Sequence, residues 1–295
     1  MKIKLLDHKH IPGFNSGTGL EFHNENIYLT NTASEEILVL SQNWKEVDRI
    51  PLFNSKSTVG GHGHKDLEAA TIVEINKIPR FLALGTDINE AKHNKAVLLN
   101  LDDRTREDFT IDQFDERLKI FGLQELNIRA AAIILGKLVL GNRRSTGSGA
   151  GSGENNFVVT DIDVWKQQDT EEISLLPVKY PDDTPEGILL TGMCYSPEND
   201  WLLLTFVSEN SFSEHDEQVT KSSYLGLVEN ASRKVARKQV KINELMDLTK
   251  VNKNLADQQI KAACVQSDKN GKIKLYLVSD HAEGGTHIFK IRIKH

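Results

Sequence analysis

Ile260-Lys261-Ala262-Ala263-Cys264-Val265, Leu275-Tyr276-Leu277-Val278 and Ile288-Phe289-Lys290-Ile291-Arg292-Ile293 are three strand-like runs, and the 295-residue chain ends just after the last of them. Turn-forming polar and glycine residues separate the runs, as a meander of antiparallel strands requires. A fourth run is missing. At the other end of the chain, Lys2-Ile3-Lys4-Leu5-Leu6 reads as a strand with no unit of its own. Joining the two ends completes a four-stranded unit and closes a ring, which protects edges that otherwise stay unpaired.

Working outward, the same fourfold order recurs upstream. One unit opens at Thr18-Gly19-Leu20-Glu21-Phe22, the next at Leu67-Glu68-Ala69-Ala70-Thr71, and a third at Ile128-Arg129-Ala130-Ala131-Ala132. The fourth opens at Leu190-Thr191-Gly192-Met193-Cys194. The expected fold is therefore all-β: a five-bladed β-propeller of four-stranded blades, the last closed by the N-terminal strand. Blades are read at 18–52, 67–112, 127–178, 189–243 and 259–294 plus 2–7, as a single domain over 1–295. A β-sandwich with accidental self-similarity is the competing architecture. Helix is expected at 112–123 and, more weakly, at 241–248. The run Gly147-Ser148-Gly149-Ala150-Gly151-Ser152-Gly153 reads as a hairpin loop, because a strand and not a helix follows it.

Composition narrows the partners. A net charge of -6 gives no basic footprint for nucleic acid, and no apolar run reaches the roughly 20 residues that span a bilayer. The first ten residues are broken by charges, unlike a secretory leader. Cys194 and Cys264 are too few for a disulfide framework and read as core filling. A cytoplasmic protein is expected.

Aligning the five openings selects one position in each: Thr18, Glu68, Arg129, Thr191 and Lys261. Gly or Ala follows every one, which lets neighbouring backbones approach near the axis. Five polar or charged side chains are thus expected around one mouth of a central tunnel, with Glu68 pairing Arg129 and Lys261. The loops after the second strands add Asn31, Thr32, Asp87, Arg143, Arg144, Glu209, Asp280 and His281 on the same face. The loop entering blade two adds His62, His64, Lys65 and Asp66. His62 and His64 beside Asp66 and Glu68 allow a transition-metal reading. It lacks a distant third ligand unless His281 or Asp280 serves, and no metal is assigned. Nucleophile-elbow, Walker and Rossmann fingerprints are absent.

At Thr18-Gly19-Leu20-Glu21-Phe22, Asp66-Leu67-Glu68-Ala69, Ile128-Arg129-Ala130-Ala131, Thr191-Gly192, Val278-Ser279-Asp280 and Gly284-Gly285, the chain resembles a group of uncharacterised bacterial β-propellers. More distantly it is similar to the calcium-activated nucleotidases (apyrases), which are five-bladed. That resemblance implies an axial ring of Ser and Glu holding calcium. Glu68 matches such a ligand, and Thr18 and Thr191 stand where serines are expected. Arg129 and Lys261 replace expected glutamates and leave the ring with a charge of about +1, which repels a dication. No cofactor is therefore expected.

Two function classes follow. In one, the cationic ring with Arg143, Arg144 and Lys65 binds a small anionic molecule or a peptide carboxylate. In the other, Asp87, Glu209, Asp280 and His281 bind metal or activate water beside Glu68 in a phosphohydrolase or esterase. A pure protein-interaction scaffold is the remaining alternative.

Overall fold

In the computed structural model, residues 1–31, 36–52, 67–85, 95–123, 126–143, 155–163, 166, 172–208, 222–256, 258, 259–269, 271–280 and 285–294 are described. Short alternating runs fold here as antiparallel meanders. β2 (Gly17–His23), β3 (Asn26–Asn31), β4 (Glu36–Ser41) and β5 (Glu46–Pro51) form blade one in that order. β6 (Leu67–Ile75), β7 (Ile78–Gly85), β8 (Lys95–Asn100) and β9 (Arg106–Thr110) form blade two. Blade three holds β10 (Ile128–Ile134), β11 (Lys137–Asn142), β12 (Asn156–Asp161) and β13 (Ser174–Lys179). Blade four holds β14 (Ile188–Ser196), β15 (Trp201–Ser208), β16 (Ser222–Glu229) and β18 (Glu244–Asp247).

Blade five joins the two ends of the chain. β19 (Gln259–Lys269), β20 (Lys272–Asp280) and β21 (Thr286–Lys294) are completed by β1 (Lys2–Ile11), with Lys2 opposite Lys294 and Ile11 opposite Thr286. The five-bladed propeller is thus the fold, and the sandwich is excluded. Its core lies between blades and not within them. Five clusters fill the five blade interfaces, and the one between blades five and one packs Cys264, Tyr276 and Ile288 against Leu20, Leu29 and Leu38. That last cluster closes the ring by apolar contact as well as by strand pairing.

Helix α1 (Asp112–Ile120) forms where expected, with acidic residues in its first turn and basic ones in its last. Phe114 and Leu118 enter the interface between blades two and three, and Gly122 at φ +98 ends the segment. The stretch 241–248 departs from the expected helix. β17 (Val240–Lys241) pairs in parallel with β13 and adds a fifth strand to blade three, while Glu244–Asp247 is the true outer strand of blade four. Blade four, read from the sequence to end at 243, therefore runs on to Asp247, and Val240–Lys241 belongs to the neighbouring sheet, which it ties to blade four. Pairing with a distant strand outweighs the local helix pattern of Lys241–Leu248. A short helix, α2 (Ala231–Ala236), buries Ala231 and Val235 in that same junction. No helix among the described residues is long and apolar enough to cross a membrane.

Candidate functional site

The five aligned positions are structurally equivalent for a reason that lies in the ladder. Each inner strand is out of register with the second strand of its blade at one shared level, and β19 slips once more between Val265 and Ser267. Gly17 pairs Asn31 and Gly19 pairs Thr30, so Thr18 is skipped. Glu68, Arg129, Thr191 and Lys261 are skipped in the same way. All five are bulge residues, and a bulge re-aims its side chain out of the sheet alternation. Five bulges at one level turn five side chains into one mouth.

They line a cavity of about 150 Å³ together with Ser16 and Arg143. Register confirms the shared face: the ends of the second strands, Asn31, Gly85, Asn142, Ser208 and Asp280, pair the starts of the first. Below the ring the opening shrinks to about 10 Å³ between Gly19, Ala70, Ala131, Gly192 and Ala262. The polar part is a cup and not a channel, because small apolar residues let the inner strands converge beneath it. Gly192 shows how tightly. A Cβ there would sit 2.8 Å from the Ala262 Cα and 2.9 Å from the Lys261 carbonyl oxygen.

The two threonines are structural pins. Thr18 Oγ1 donates to the Leu67 carbonyl at 3.2 Å, and Thr191 Oγ1 donates to the Ile260 carbonyl at 2.7 Å. In both cases the acceptor immediately precedes the bulge residue of the next blade, so each hydroxyl stitches neighbouring inner strands. Thr191 also meets the Thr205 hydroxyl at 3.0 Å.

The charges are organised in pairs. Arg129 forms an ion pair with Glu68, and its Nε donates to the Asn127 side chain. Lys261 Nζ donates to Gln259 Oε1 at 3.2 Å. Asn127 and Gln259 hold the same place, two residues before their bulge cation, and Ser16 holds it before Thr18. Sequence reading passed over these three, although a polar side chain at that fixed offset was there to be seen. Asn127 is further anchored by its N–H, which donates to Asn142 Oδ1 at 2.6 Å, and by its carbonyl, which accepts from the Arg143 N–H at 2.9 Å. Among the described lining residues three cations, Arg129, Arg143 and Lys261, thus face one carboxylate, Glu68, for a charge of +2.

Of the loop residues expected here, Arg143 lines the cup and Asn31 is buried beside Gly17. Asp280 ends β20 opposite Gln259 and Thr286. Thr32, His62, His64, Lys65, Asp66, Asp87, Arg144, Glu209 and His281 lie outside the described residues, as does the 147–153 loop. Among the described residues no three His, Cys, Asp or Glu side chains are grouped to hold a metal ion.

One level deeper, Glu21, Thr71, Cys194 and Cys264 each stand three residues past a bulge residue. Glu21 keeps a partly open surface, yet protein atoms surround its carboxyl. Burial pushes it up to about 8, against hydrogen bonds with the Thr71 side chain and the Phe22 and Ile72 backbone that pull the other way. The Cys194 and Cys264 thiols are both buried and unbridged. Burial first, and the Glu21 charge second, push them well above the ordinary thiol range.

The whole fold is similar to Myxococcus xanthus glutaminyl cyclase, at 11% identity and a TM-score of 0.54, covering 98% of this chain and 95% of that one. It is similar to the major Malassezia sympodialis allergen Mala s 1, at 10% identity and a TM-score of 0.51, covering 92% and 91% of the two chains. A third similar structure is MPT-4, a mannose phosphorylase from Leishmania mexicana, in complex with phosphate ion. There the identity is 11%, the TM-score 0.50 and the coverage 100% and 88%. Likeness at such identities speaks for the propeller alone. It supports the five-bladed fold of that resemblance and carries no specific tie to calcium-activated nucleotidases. No curated protein matches the chain. Residues 13–293 match the model of a family of unknown function, DUF6929, and the chain belongs to that family.

Proposed function

We propose that the cup at the propeller mouth binds a small anionic ligand. The observation that carries this reading is the lining charge of +2, gathered by bulges onto a rigid ring whose only carboxylate, among the described lining residues, is already paired with Arg129. Arg129 is held on two sides by Glu68 and Asn127, so it meets an incoming anion with little ordering left to lose. Guanidinium and ammonium groups together favour phosphate, sulfate or carboxylate.

Size limits the ligand. Drug-sized sites run to about 300 Å³ and more, whereas a cavity of about 150 Å³ matches one that holds a six-atom ring. A single phosphate or a short carboxylate fits this volume, and so does the carboxylate end of a peptide. The metal-dependent phosphohydrolase or esterase is the weaker reading, because the Arg129 and Lys261 charges oppose a dication. Two unbridged thiols suit a reducing compartment, which accords with work in the cytoplasm.

Thermal unfolding in phosphate, sulfate, acetate and succinate tests the proposal. At a hundredfold excess over Kd a ligand adds about 2.7 kcal/mol, or about 4 °C for a chain of this size. Lys261→Gln should abolish the rise. Arg129→Gln should do so too, but it strands Glu68 and lowers the baseline stability, so the lysine variant is the cleaner arm. An equal rise in wild type and Lys261→Gln refutes the cup as the site.

A further inference from the structure

Blade five carries a second concentration of positive charge, far from the cup. β1, β21 and β20 are adjacent strands, and their register sets Lys2, Lys294 and Lys272 in one cross-strand row and Lys4, Arg292 and Lys274 in the next. Residues in register share a face, so these six stand on one side of the sheet. The alternating rows, Ile3 with Ile293 and Ile273, and Leu5 with Ile291 and Leu275, turn the other way into the interface with blade four. The five lysines are exposed and Arg292 is half-buried. Beside them Lys290 lies between Asp7 and Tyr276, its amine 5.4 Å from the tyrosine ring centre. Burial, and then the Lys274 charge, pull that amine below its ordinary value.

Like charges placed directly opposite in a sheet destabilise it, and here three abreast are stacked two deep. Among the described residues none of the six carries an ion pair. The chain as a whole is at -6, so this is local concentration and not general basicity. The grid measures about 10 Å across three strands and about 7 Å between rows. β20 runs from the grid at Lys272 to Asp280 at the mouth, so Lys274 and Ser279 are about 17 Å apart and the two sites are separate.

The surroundings choose the partner. Among exposed large apolar residues only Leu6 belongs to these strands. The exposed rings of these strands, His8 and His10, pair Phe289 and His287 on the other face, so the grid offers no aromatic platform to nucleic-acid bases and no apolar face to a bilayer. Six of the seven cations are lysines, compact point charges without the planar fork that grips carboxylate and phosphate groups alike. What remains is recognition of charge density alone. We propose that this face of blade five binds linear inorganic polyphosphate.

Titration calorimetry of the full chain with short-chain polyphosphate tests it. Affinity should fall about 10³-fold from roughly 50 to roughly 200 mM salt, as expected when the protein's cations neutralise about six phosphates and release their counterions. Lys4→Glu with Lys274→Glu should weaken binding by about 100-fold, about tenfold for each reversed charge. Lys4→Gln with Lys274→Gln should weaken it less while raising the melting temperature, since repulsion is relieved. If polyphosphate enters the cup instead, Lys261→Ala loses the affinity and the double reversal keeps it, which overturns the proposal. Equal or tighter binding of a single-stranded oligonucleotide, a polyglutamate peptide or anionic vesicles of matched charge also overturns it, as does no binding at low salt.

Discussion

Replacing Glu21 with Gln should remove a pH dependence that wild type carries. The carboxyl sits in β2 among the inner strands, hydrogen-bonded to Thr71, with the buried thiols of Cys194 and Cys264 close enough to feel its charge. Its folded value lies near 8 against an ordinary 4.5. Below 4.5 both folded and unfolded chains hold the proton, and burial exacts no ionic penalty. Between 4.5 and about 8 the unfolded chain releases it while the native chain retains it, so native stability falls as pH rises; above that window the effect is complete. At about 1.4 kcal/mol for each tenfold, the full span is about 5 kcal/mol. Because the side chain keeps a partly open surface, screening reduces this, and about 2 to 5 kcal/mol is expected. Glutamine fills the same volume, keeps a carbonyl for the hydrogen bonds and never ionises. Denaturant unfolding of both proteins from about pH 5 to about pH 9 isolates the term, since every other group cancels in the difference. The variant should gain on wild type by that amount across the window. A difference that stays constant to within about 0.5 kcal/mol would mean that Glu21 ionises freely, and the reasoning fails.

Gly192→Ala should destabilise the protein by about 2 kcal/mol or more, because the added methyl meets neighbouring backbone at Ala262 and Lys261, which cannot swing aside, as well as the Thr205 hydroxyl. Urea midpoints at constant m-value report it, and an unchanged midpoint contradicts the close approach. The thiols of Cys194 and Cys264 should resist a disulfide reagent at neutral pH until the chain unfolds. Labelling of either at the rate of a free thiol in native buffer speaks against their burial.

Much of this was legible locally. Repeated four-run units, with three runs at one end and one at the other, dictate ring closure, because unpaired edges are costly whatever the side chains around them. The alignment of Thr18, Glu68, Arg129, Thr191 and Lys261, each followed by Gly or Ala, locates the mouth. The helix at 112–120 follows from its own charge pattern and apolar spacing. In contrast, 241–248 misled: its helix-like period competes with pairing to β13 and β16, partners that no local window contains.

By itself, then, the chain's pattern determined the number of blades, the closure and the residues around the axis, since hydrophobic period and turn chemistry act over a few residues. Only the tertiary structure decided that those five residues are bulges, that two threonines pin strands while Arg129 pairs with Glu68, and that lysines some 270 to 290 positions apart stack into one grid. Register belongs to pairs of strands, and whether a charge is answered or left facing solvent depends on which strand the fold sets beside it.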